Sequence, residues 1–140
     1  MSDTTAVHFE DLRPGQQLPT LEVAVSTGSI VAGAIATRDF HPIHHDLDRV
    51  RCEGHAGLFL NIFSSNAYIE RWVRSWSGPT GGIGHMDIRL GGPCYAGQTL
   101  RIAGSVTEVH RGPPGCVHVE VSMTCDATRH AHGSLNFYWH

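Results

Sequence analysis

Lysine is missing from this 140-residue chain, and every one of its ten basic residues is arginine. Without lysine there is no Schiff-base catalyst and no Walker-type phosphate lysine. The arginines are scattered and the formal net charge is -3, which argues against nucleic acid as a partner. No apolar run approaches the roughly 18 residues that a membrane span needs, so no membrane association is expected. Met1-Ser2-Asp3-Thr4-Thr5 has no basic stretch followed by an apolar one. No secretion signal is read there, and a cytoplasmic location is the expectation. The four cysteines, Cys52, Cys94, Cys116 and Cys125, form no Cys-x-x-Cys pair. That disfavours zinc-ribbon and thioredoxin-like sites and leaves free thiols as the expectation, with Cys125 on an apolar strand face. There is no Gly-x-Ser-x-Gly elbow. Gly81-Gly82-Ile83-Gly84 follows a helical pattern, not a strand, and reads as a turn.

What the chain does have is a core. It is 41% hydrophobic and 16% charged, without repeats or a low-complexity linker, so residues 1–140 read as one domain. Phe9 to Gly15 is a lead-in ending in a Pro-Gly turn. Leu21, Val23 and Val25 alternate with polar or small residues as a first short strand. Ser26 or Thr27 caps a small helix through Ile30, Val31, Ala34 and Ile35. Leu58 to Trp76 is the one long helical pattern, with Leu58, Ile62, Ala67, Ile69, Trp72, Val73 and Trp76 broadly on one side. Gly78-Pro79 ends it. Four strand patterns follow, over Met86–Leu90, Leu100–Val106, Val117–Cys125 and Leu135–Trp139. One strand, then helices, then four strands is an α+β order, with an antiparallel sheet laid on a long helix. A helix of about 19 residues runs roughly 28 Å, a length that a curved sheet can wrap. Subunit pairing would bury the sheet's edge.

The stretch Asp39-Phe40-His41-Pro42-Ile43-His44-His45-Asp46 holds three histidines and two aspartates in eight residues. Pro42 disfavours helical geometry at His41, so the segment is expected to be a loop. Three readings are open. Asp39 and His44 can share one water, the carboxylate and the neutral ring accepting its protons and the resulting acid returning one. His41-x-x-His44-His45-Asp46 also carries zinc or iron ligand types, although a Pro-broken loop lacks the i, i+4 spacing of zinc helices and no further ligand can be located. The third reading is a solvated turn capped by Asp and His. His85 falls on the polar side of a strand, and His130, His132 and His140 read as surface residues.

Asp39-Phe40-His41-Pro42-Ile43-His44 resembles the motif Asp-x-Asn-Pro-(aliphatic)-His of the MaoC-like (R)-specific enoyl-CoA hydratases. The resemblance continues elsewhere. Asp11-Leu12-Arg13-Pro14-Gly15 is similar to that family's entry segment. Leu58-Phe59-Leu60-Asn61-Ile62-Phe63-Ser64 is similar to its helix start, usually Ile-x-His-Gly-Met-Leu-Thr. Arg89 to Leu100 is similar to its Pro-x-x-x-Gly-Asp-x-(aliphatic) strand junction, and Gly104 to Val109 is also typical. A narrower resemblance, carried by Ala36–Phe40, His44-His45-Asp46, Phe59–Ile62 and Arg89-Leu90-Gly91, is to the small single-hot-dog subunit of actinobacterial steroid side-chain enoyl-CoA hydratases.

The resemblance implies a hot-dog fold, an antiparallel sheet wrapped around a long helix. It implies Asp39 and His44 as the catalytic pair, the backbone N–H of Asn61 as oxyanion donor where the family usually has Gly, and no resident metal. His41 stands where the family has Asn and is expected either to hold the loop or to touch substrate. Arg38 and Asp46 are expected to be structural. The implied substrate is an acyl-CoA whose double bond is hydrated, a steroid side-chain enoyl-CoA, with no cofactor beyond the CoA that the substrate carries. The implied partners are a second MaoC-like subunit, often fused to a zinc-ribbon/OB-fold domain, and an aldolase. Three other possibilities stay open. They are a homodimer, a hydratase or dehydratase of ordinary fatty or polyketide thioesters, and an accessory hot-dog subunit without catalysis.

Overall fold

The computed structural model describes residues 7–139; Met1 to Ala6, which include the segment read for a secretion signal, and His140 lie outside them. A 3-10 turn, Phe9–Asp11, leads to the first strand, β1 (Leu21–Ala24). Three helices follow: α1 (Thr27–Ala36), α2 (Leu47–Cys52) and α3 (Ile62–Ser77). Four long strands complete the chain: β2 (Gly82–Leu90), β3 (Thr99–His110), β4 (Gly115–Cys125) and β5 (Thr128–Trp139). No helix among the described residues is long and apolar enough to cross a membrane.

The five strands form one antiparallel sheet in the order β1-β3-β4-β5-β2. β1 and β2 are its two edges, so the helices between them must carry the chain from one edge to the other across one face. The inward side chains follow the period of two expected from the sequence. Leu100, Ile102 and Val106 on β3 are buried with Val117, Val119, Val121, Met123 and Cys125 on β4, and with Leu135 and Phe137 on β5. Against them α3 places Ile69, Trp72, Val73 and Trp76, all fully buried. Contact is close at Gly104, where a Cβ would lie 2.6 Å from Trp72 Cη2, so only glycine lets that indole reach the sheet.

Three local expectations are corrected. The long helix starts at Ile62, not Leu58, because Asn61 takes extended geometry (φ -82°, ψ 163°) and caps the helix by accepting from the Ser64 N–H. Leu58 to Leu60 is extended chain tied to the segment after β2, through the Leu60 N–H to the Cys94 carbonyl and the Ala96 N–H to the Leu58 carbonyl. Secondly, Gly82-Ile83-Gly84 is not a turn but the start of β2. Thirdly, Cys94 and Cys125 are not free thiols; they form a disulfide with Cα atoms 5.5 Å apart, leaving Cys52 and Cys116 free. The two partners are 31 residues apart, and they meet because the loop after β2 folds over the end of β4.

Candidate active site

The site begins with the way α1 ends. Ser26 and Ser29 form a capping box at its start. At its end the Arg38 N–H donates to the Ile35 carbonyl (3.0 Å) and the Asp39 N–H to the Ala34 carbonyl (2.9 Å), with Arg38 in the left-handed region at φ 56°. This is a Schellman motif with arginine where glycine is usual. It sets the backbone of Asp39 rigidly on the last turn of a helix.

The next residues form a 3-10 turn, Pro42–His44, capped by His41, whose Nδ1 accepts from the Ile43 N–H (3.4 Å). Proline at the first position suits such a start. The turn swings His44 inward until it is only 5% exposed. Its ring meets Phe59 edge-on at 5.4 Å, and its Nδ1 lies 2.8 Å from the Phe59 carbonyl. A carbonyl only accepts, so Nδ1 carries the proton. In the neutral ring Nε2 then bears a lone pair, and it points at Asp39 Oδ2, 3.3 Å away.

Asp39 has two further partners. Its Oδ2 accepts from the Asn61 side-chain amide (3.1 Å) and its Oδ1 from the His41 N–H (3.4 Å). Burial pushes its pKa up, but the Asn61 amide outweighs that together with the His41 N–H and the nearby His44 and His41 charges. The carboxyl is held below its ordinary 3.8. With Nδ1 facing the Phe59 carbonyl, the neutral form of His44 presents its Nε2 lone pair beside the Asp39 carboxylate, and the protonated form donates to that carboxylate. A water beside them can give a proton to either, and the imidazolium that forms is steadied by the carboxylate.

The structure thus brings Asp39, His44 and Asn61 into direct contact. His41 is exposed, with its ring 6.4 Å from that of His44. His45 is exposed, and Asp46 caps α2 by accepting from the Arg49 N–H (3.0 Å), so the eight-residue cluster divides between two jobs. His85 and His132 are exposed as expected. His130 is not a surface residue. It is 3% exposed, with Nδ1 2.9 Å from the Gly92 carbonyl and Nε2 2.7 Å from Ser65 Oγ. Burial holds its pKa below the ordinary 6.5, opposed by the bond to Gly92. The one group of three metal-ligand types found among the described residues lies elsewhere, on the outer side of β3 and β4. It consists of Glu108, His110 and His118, with ligand atoms within 4.8 Å of one another.

Thr37, Ser64, Ser65 and His130 escape a reading of the sequence. Their partners are 65 residues away for Ser65 and 24 for Thr37, and no local spacing signals them. The described residues also form a cavity of about 520 Å³ on the outer sheet face, near Gln17, Ser105, Glu120 and Arg129, and one of about 350 Å³ between the first turns of α3 and β2. Neither is lined by Asp39 or His44. Ile35 on α1, Phe40 in the motif loop, Leu47 on α2, and Ile62 and Phe63 on α3 are all exposed.

No family model matches the chain. Among curated proteins it is similar to the 3-oxo-4,17-pregnadiene-20-carboxyl-CoA hydratase beta subunit of Mycobacterium tuberculosis (strain ATCC 25618 / H37Rv). The two are 39% identical over 98 residues, 70% of this chain and 76% of that protein. Among solved structures it superposes on a chain of the ChsH1-ChsH2 complex from Mycobacterium tuberculosis with a TM-score of 0.85 and 32% identity, covering 91% of this chain and 98% of that one. The (R)-hydratase of A. caviae involved in PHA biosynthesis shares the fold, with a TM-score of 0.83 at 12% identity, over 94% of this chain and 99% of that one. So does the R-hydratase PhaJ1 of Pseudomonas aeruginosa, with a TM-score of 0.84 at 17% identity, over 94% of this chain and 84% of that one.

Proposed function

The chain belongs to the MaoC-like enoyl-CoA hydratases of hot-dog fold, and from that premise we propose that it is the water-adding subunit of a steroid side-chain enoyl-CoA hydratase. The observation that carries this reading is the Asp39–His44 pair, with Nε2 only 3.3 Å from Oδ2. Water bound there gives a proton to His44 Nε2 as its oxygen bonds to the β carbon of the enoyl thioester. The π electrons move to the α carbon and the thioester oxygen. The imidazolium, held by the Asp39 carboxylate, then returns the proton to the α carbon, so one water is added across the double bond.

Negative charge on the thioester oxygen needs a donor. The start of α3 supplies one, because the first N–H groups of a helix have no partner inside it. The Asn61 N–H has no acceptor among the described residues, which supports its assignment as oxyanion donor. The exposed His41 ring stands beside the pair, where it can touch substrate. The reaction needs no cofactor beyond the CoA that the substrate carries.

A second hot-dog subunit is part of this proposal. β2 is a nine-residue edge strand with one side unpaired, and the exposed apolar residues named above lie on the elements that meet at the site. The relative is named a beta subunit, and the structural neighbour is one chain of a two-protein complex. We place a MaoC-like partner there, fused to a zinc-ribbon/OB-fold domain, with an aldolase consuming the product. The test is Asp39→Asn and His44→Ala in the complex co-expressed from the neighbouring genes, assayed with a panel of enoyl-CoA thioesters. Each change is expected to lower kcat/KM by about 10²–10⁴-fold, the contribution of a positioned acid or base. Wild-type rates in both variants would overturn the catalytic assignment. Full activity of the lone chain on short enoyl-CoA would overturn the partner.

A further inference from the structure

Two acceptors that face each other do not attract. In the neutral form of His44 that acts as base, its proton is committed to the Phe59 carbonyl, Nε2 and Asp39 Oδ2 face each other across 3.3 Å as acceptors, and the aspartate side chain must be kept in place by something else. We propose that the Asn61 side chain is the positioning residue of this pair, its amide N–H gripping Asp39 Oδ2 and holding it against the acceptor nitrogen of His44. The inference rests on the hydratase reading and deepens it, because it adds a residue whose backbone alone was expected to matter.

The amide has one possible orientation. Its Oδ1 accepts from the Ser64 N–H (2.9 Å), and its Nδ2 donates to Thr37 Oγ1 (2.8 Å) as well as to Asp39. Thr37 Oγ1 has already committed its only proton to the carbonyls of Gly33 (2.8 Å) and Ala34 (3.3 Å), so it can only accept. A flipped amide would set its oxygen against two acceptors and its NH₂ against a donor. Asn61 is itself only 4% exposed, so water does not compete for these bonds. One uncharged side chain thus ties the start of α3 to the end of α1 at the position of Asp39. Being an amide, it does so at every pH at which the enzyme works. The titratable groups facing Asp39 are His44 and His41, both on its own loop. From α3 and from the end of α1 it meets the neutral Asn61 and its neighbour Thr37.

The test separates the cap from the grip. Asn61→Asp keeps the helix cap, since aspartate also accepts from the Ser64 N–H, but it removes the donor and sets a carboxylate against Asp39. Asn61→Ser keeps a cap and removes the amide donor that reaches Asp39, without adding charge. Thr37→Val leaves the Asn61 cap untouched and removes the acceptor that orients Nδ2, together with the hydroxyl's own bonds to the Gly33 and Ala34 carbonyls. All are assayed in the complex with its partner, with unfolding followed in parallel. The serine change is expected to lower kcat by roughly tenfold to a hundredfold, the scale of a small misplacement of a reacting group, with KM little changed. The acidic limb of the kcat/KM profile should move to higher pH in all three variants, most in Asn61→Asp. A structural role alone would lower stability without moving that limb. Folded variants with a wild-type rate and an unmoved acidic limb would overturn the proposal while Asp39→Asn and His44→Ala are inactive. If those two are also active, it is the hydratase reading that fails.

Discussion

At its C-terminal end α3 buries Trp72 and Trp76 against Gly104, Phe137 and Trp139. At its N-terminal end it buries Asn61, Ser64 and Ser65 against Asp39, Thr37 and His130. The indole end is held by contact area, which is non-directional and worth several kcal/mol per ring. The polar end is held by hydrogen bonds, each worth only about 1 kcal/mol net but strict in direction. One helix therefore has a pole that fixes the fold and a pole that fixes atoms. Chemistry belongs at the second, because only there are unpaired helix N–H groups and oriented side chains available.

Mutations can break this contrast. Trp76→Ala is expected to have the largest effect on stability, about 3–5 kcal/mol from lost burial and the cavity left behind. Urea unfolding measures it, and the rate per folded molecule should hardly change, since the indole lies four helical turns from Asn61. Gly33→Ala acts at the other pole. A Cβ there would run into Ser64 Oγ, where α1 and α3 touch. The Ser64 hydroxyl, which has no hydrogen-bond partner among the described residues, can turn away, so the cost should stay within about 1 kcal/mol and kcat should fall only slightly. Arg38→Gly should raise stability by about 0.5–1 kcal/mol in the same unfolding assay, because φ 56° suits glycine better than arginine.

The smallest effect is expected in the pH dependence of stability. His130 has a folded-state pKa below 6.5 because it is buried. As pH falls through 6.5 the unfolded chain takes up a proton that the folded chain refuses, so stability falls until the lower folded value is reached. His130→Gln should flatten that part of the curve. Asp39 acts in a separate window. Its lowered pKa adds stability above 3.8 that is lost as pH falls further through its folded value, and Asp39→Asn should remove only that acid limb.

Much of the fold is legible in the sequence. Val117 to Cys125 alternate, and the structure buries the apolar set, because a strand's side chains change face at every residue. Ser26 and the Gly78-Pro79 stop bracket helices that exist. The start of α3 is not legible, because Leu58 and Leu60 are apolar at positions that fit a helix, whereas the Asn61 cap and the bridge from Phe59 to Tyr95 place them in extended chain. The short α2 is not legible either, since Val50 is its one buried residue and offers no periodic face. Within the site, Asp39, His44 and Pro42 are legible as one loop because they are neighbours along the chain. The Asn61 side chain is not, because its reach to Asp39 spans 22 residues.

By itself, then, the order of residues determined the elements and their inward faces, and it set an acid and a base five positions apart in a loop. These are local properties, governed by side-chain periodicity, by caps and by what proline forbids. Tertiary structure decided the rest: which nitrogen of His44 carries the proton, which way the Asn61 amide faces, that His130 is buried, and that Cys94 meets Cys125. Each of these depends on a partner brought from a distant part of the chain. A hydrogen bond or a disulfide has no existence until packing places both of its ends.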